Sequence, residues 1–136
     1  MRNWNALRNR FLQDRFAMQL GNIAANMARI DSYMTDPISE EMVTSVLDET
    51  KHFISWALLN ATLSEQLELA VLQQQLIQWQ LTLPDFWQDP IQRVTAGCEA
   101  RRWSDQLLTM SGLLDEDPLP VANQPEGPAS LVATFS

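Results

Sequence analysis

The stretch from Thr62 to Leu83 carries apolar residues on two opposite sides of a helix, and few folds accommodate such an element. Leu63, Leu67, Ala70, Ile77 and Leu81 line one side at helical spacing, and Leu69, Leu72, Leu76, Trp79 and Leu83 line the other. Gln73, Gln74, Gln75, Gln78 and Gln80 fall largely between them. A helix apolar on both sides is either enclosed by its own fold or shared with another subunit. A few short helices leave little room to enclose it, so the pattern predicts self-association, most simply a homodimer.

The rest of the chain is punctuated as helices. The first is expected over 3–34, stopping at Thr35-Asp36-Pro37, and the second over 37–59, capped by Asp36 or by Ser39. Glu40 and Glu41 then lie in its first turn, where the helix dipole favours negative charge. Thr62 and Glu65 have capping-box spacing and open a third helix over 62–82, ending before Pro84. Asp89-Pro90 opens a fourth over 90–114. Only four glycines in 136 residues argue against an all-β fold, and the short connections favour an up-down bundle of about four helices.

From residue 115 the composition changes. Asp115, Glu116 and Asp117 precede Pro118, Pro120, Pro125 and Pro128, so 115–136 is expected to be an extended or disordered acidic, proline-rich tail. Residues 1–114 form the bundle domain. Leu131 to Phe135 is apolar enough to dock on another surface.

The first helix also has two stripes. Leu12, Phe16, Leu20, Ile23, Met27, Ile30 and Met34 follow one face, while Trp4, Leu7, Phe11 and Met18 follow another, rotated by well over 90° at about 100° per residue. Either a bend near Gly21-Asn22 turns both inward, or one stripe meets a partner. As one unbroken helix the segment would span about 46 Å, against about 30 Å for its neighbours, and would overhang them. Phe86 and Trp87, between Asp85 and Asp89, either plug a bundle end or form a contact hot spot. The expected partner-binding residues are therefore Trp4, Leu7, Phe11, Met18, Leu69, Leu72, Leu76, Trp79, Phe86 and Trp87.

Charge narrows the partners. Residues 1–30 hold five arginines against Asp14, for +4, whereas residues 31–136 hold 4 basic and 16 acidic side chains, for −12. Phosphate binding needs a positive footprint, so the charge argues against nucleic acid as a partner except through Arg2, Arg8, Arg10 and Arg15. Arg8 and Arg15, beside Trp4 and Phe11, are the expected anion contacts.

No motif reaches a named chemistry. Glu49 and His52 have the Glu-x-x-His spacing of di-iron bundles, but such sites need two copies and further glutamates, and His52 is the sole histidine. That pair supports an alternative reading as a helical-bundle metal- or small-ligand-binding protein or enzyme. Cys98, the only cysteine, shares a stripe with Ile91 and Val94 and is expected to be a buried structural residue. The four glycines are isolated, so no phosphate loop is present, and no nucleophile motif accompanies the serines. No apolar run reaches the roughly 18 residues of a membrane span, and no signal peptide is evident. The expectation is a cytoplasmic, non-enzymatic interaction protein (adaptor, assembly factor or regulator) with no cofactor or metal. Helical punctuation of this kind is too common to single out a family.

Overall fold

The computed structural model describes residues 3–36 and 39–113, and these are all-α: five α-helices and one short 3₁₀ turn, with no strand among them. The helices are α1 (Trp4–Gln13), α2 (Phe16–Thr35), α3 (Glu40–Ala57), α4 (Leu63–Phe86) and α5 (Pro90–Ser111), with the 3₁₀ turn at Leu58–Asn60. Among the described residues, no helix is long and apolar enough to cross a membrane. The tail expected over 115–136, Arg2 and Pro37 lie outside the described residues.

The expected first helix is broken in two. Asp14 and Arg15 are extended, and Gln19 Nε2 donates to the carbonyls of Phe11 and Asp14, at 3.2 and 3.1 Å, which satisfies the exposed end of α1. The bend therefore falls at Asp14-Arg15 rather than at Gly21-Asn22. Its cause is the change of phase between the two stripes. No straight helix buries both, whereas folding α1 back onto α3 buries Phe11 and packs Trp4 and Leu7 against the core. Leu20, Ile23, Met27, Ile30 and Met34 line the inner face of α2, all fully buried.

The caps are local. Ser39 accepts from the Met42 amide and starts α3. Thr62 and Glu65 complete a reciprocal capping box at the start of α4. Asp89 caps α5 with Pro90 at its first position, and hydrogen bonds from the Gln92 side chain and backbone hold its carboxyl below the usual carboxylate value. That contribution to the cap is present at neutral pH and is lost as pH falls through the lowered value. Gly112, at φ 72, closes α5 in the left-handed region.

Helix α4 does not stop before Pro84 but runs through it to Phe86. An interior proline costs about 3 kcal/mol. Continuing the helix buries both Leu83 and Phe86, each worth about 1.5–3 kcal/mol, so burial offsets the lost hydrogen bond. Phe86 and Trp87 pack at the C-terminal end of α4: Arg93 lies over the Trp87 ring at 5.6 Å and donates to the carbonyls of Trp87 and Met34.

The most extensive packing joins α2 to α5. It depends on the small residues of α5: Ala96, Gly97, Ala100 and Ser104 are buried, and Ser104 Oγ donates to the Ala24 carbonyl at 2.9 Å. A Cβ on Gly97 would stand 2.8 Å from Asp31 Oδ1 and 3.3 Å from Met34 Cβ. Because α2 approaches so closely, the larger Ile91 and Val94 face outward, and Cys98 is exposed with them rather than buried. Replacing Gly97 by Val should therefore cost about 1–3 kcal/mol in urea unfolding. An unchanged midpoint would mean that α2 and α5 are not held at this spacing.

Candidate interaction surface

Helix α4 presents two heptad seams, and only one is used internally. Leu69, Leu72, Leu76, Trp79, Leu83 and Phe86 recur at alternating steps of three and four, and all are buried. All but Leu83 are expected partner contacts, so Leu69, Leu72, Leu76, Trp79 and Phe86 are instead committed to the chain's own core. The physical reason is that the more continuous seam is buried within the chain, where no association entropy is lost.

The other seam faces outward. Leu63, Leu67, Ala70, Gln74, Ile77 and Leu81 alternate in steps of four and three, and each is exposed. Leu63 is 73% exposed, Leu67 62% and Leu81 71%, with Val71 at 60% beside them. A surface helix ordinarily turns charged residues outward. Here the whole segment from Leu69 to Pro84 carries no charge at all. Depletion of charge around exposed apolar residues is the compositional mark of an interface core.

Grooves flank this seam. One of about 510 Å³ runs between α4 and α5 and is lined by Gln75, Gln78, Thr82, Gln92 and Thr95. On the other side, Gln73 Nε2 donates to the Lys51 carbonyl and to Ser55 Oγ, tying α4 to α3. Gln66 Nε2 donates to the carbonyls of Leu58 and Ala61 and closes the preceding turn. Glutamines thus hold α4 in place where another surface helix would use ion pairs.

The other expected contacts lie apart from the seam. Trp4 stacks on His52, with ring centroids 3.8 Å apart and planes at 15°, and meets Trp56 edge-on at 6.3 Å. Phe11 is buried against Phe53 at 4.6 Å. Trp4, Leu7 and Phe11 therefore anchor α1, while Met18 remains 41% exposed on α2. Trp87 is half-buried at the C-terminal end of α4. Arg8 is exposed on α1 and Arg15 sits in the break, so the helical face expected to join them does not exist.

Glu49 and His52 also diverge. Asn26, itself buried, donates to Glu49 Oε2 at 3.2 Å and accepts from Arg29 at 3.0 Å. This polar bridge borders a cleft of about 480 Å³ with Arg10, Asp14 and Asn22. His52 lies against Trp4 instead, with Nδ1 2.9 Å from the Asp48 carbonyl. The described residues contain no cluster of three or more His, Cys, Asp or Glu placed to hold a metal ion.

Comparison with protein-family models, with curated proteins and with solved structures finds no match to this chain.

The signal that separates the two seams of α4 is present in the sequence. The inner one is unbroken and includes Trp79 and Phe86, whereas the outer one is interrupted by Ala70 and Gln74. Val71 had no assigned role, and Gln74, grouped with the glutamines between the two sides, instead lies within the outward seam. If α1 is anchored through the stack, Trp4→Ala should lower stability by about 1–3 kcal/mol and speed amide exchange throughout α1. Unaltered exchange in α1 would show that the helix is held by other contacts.

Proposed function

We propose that this chain is a non-enzymatic, self-associating helical interaction module whose contact surface is the outward seam of α4. The reading includes an up-down arrangement of the helices, a cytoplasmic setting and an acidic extension over 115–136. The observation that carries it is the exposed, uncharged strip formed by Leu63, Leu67, Val71, Ile77 and Leu81.

The strip sets the strength of the association. From Leu63 to Leu81 it is about 27 Å long, and a helix is about 10–12 Å wide. Two such strips bury on the order of 600 Å² together, well below the roughly 1,200 Å² of a standard interface. The pairing is therefore weak and concentration-dependent, in keeping with an adaptor or assembly factor that forms and releases contacts. Charge supports a second copy over a charged partner, since the seam offers no charge for such a partner to read.

In equilibrium sedimentation, the full chain should rise reversibly from 15.5 kDa towards twice that mass as its concentration passes through the micromolar range. Leu67→Glu with Leu81→Glu replaces exposed residues, so the helical content should stay unchanged while the dimer weakens at least a hundredfold. A dimer of unaltered strength in that variant would refute the assignment of the α4 face.

A further inference from the structure

We infer that two copies pair α4 against α4 in antiparallel orientation, in one register whose two-fold axis lies at the level of Leu72. This rests on the reading of α4 as the self-association face and adds its geometry.

In this register Leu63 meets the partner's Leu81, Leu67 meets the partner's Ile77, and Ala70 meets the partner's Gln74. The two central layers then have equal volume, with the smallest side chain opposite the long amide. A parallel, in-register pair would instead set Ala70 on Ala70 and Gln74 on Gln74, placing a void next to a crowded layer, which close packing disfavours. Electrostatics point the same way. The capped start of α4 carries Glu65 and Glu68, and its far end carries Asp85. Antiparallel pairing separates the acidic starts of the two helices and sets each helix dipole against its opposite.

Gln74 fixes the register. It is an exposed polar residue in the middle of the outward seam, and desolvating its amide requires a hydrogen-bonding partner. An amide carries both donors and acceptors, so the partner's Gln74 is a complementary group. The two are offset by about 6 Å along the axis, within side-chain reach across the two-fold. A slip of one heptad would place Gln74 against Leu63 or Ile77 of the other copy and leave an end leucine uncovered. A single polar residue in such a seam specifies register at some cost in strength.

Ser64 and Gln78 flank the seam, are exposed, and leave every apolar contact intact when replaced. In the proposed register Ser64 of one copy lies beside Gln78 of the other, while the two Ser64 residues are about 24 Å apart. The test uses full-length chains carrying Cys98→Ser, with either Ser64→Cys or Gln78→Cys, and a short bismaleimide. The mixture of the two should give a crosslinked dimer at least ten times faster than either chain alone. Self-linking of the Ser64→Cys chain as the dominant product would overturn the antiparallel geometry while leaving self-association standing. Equal, slow linking in every mixture, with a monomeric mass by light scattering, would overturn both. That result is also the one expected if a segment of the chain's own residues 115–136 covers α4.

Discussion

Helix α4 has two apolar seams and one side on which the chain can bury them. The inner seam, from Leu69 to Phe86, joins the core with α3 and α5 and draws the helix through Pro84, because stopping earlier would expose Phe86. The outer seam is left facing water, and the chain carries no charge from Leu69 to Pro84. A helix that only had to coat a monomer would carry lysines and glutamates there. The exposed strip thus lies opposite the side that holds α4 in place, so pairing on it requires no rearrangement of the core.

The N-terminal segment solves the same problem differently. Its two stripes lie mainly on successive segments of the chain, so a break at Asp14-Arg15 turns most of both inward and leaves Met18 exposed. Gln19 makes the break affordable in hydrogen bonds by capturing two carbonyls at the end of α1. The aromatic stack of Trp4, His52 and Trp56 then fastens α1 to α3. What looked like surplus surface in a single long helix becomes core. This leaves α4 as the element with the largest unburied apolar strip, beside the smaller exposed pair Ile91 and Val94 on α5.

The helices themselves were legible, because their signals are local. Thr62-x-x-Glu65 and Asp89-Pro90 mark helix starts through bonds within one turn, and the structure shows those bonds. The features misread depend on packing. Neither Asp14 nor Arg15 is a helix breaker, so only the shift of stripe hinted at a break, and it did not give its position. Pro84 looked like a terminator, since its cost is local while the burial that offsets it is not. Cys98 was expected inside with Ile91 and Val94, but the close approach of α2 selects Gly97, Ala100 and Ser104 for the interior. For α4, both seams were visible, and the one expected to meet a partner is the one the chain buries. Choosing between them required weighing Ala70 and Gln74 as interruptions.

A dilution series followed by backbone amide NMR of the full chain tests most directly the proposal that copies meet on the outward seam of α4. Concentration-dependent shifts should centre on residues 63–81 of α4 and leave the buried pairing of α2 with α5 unmoved. Spectra that do not change from the micromolar to the millimolar range, or shifts confined to α1 and α2, would contradict it.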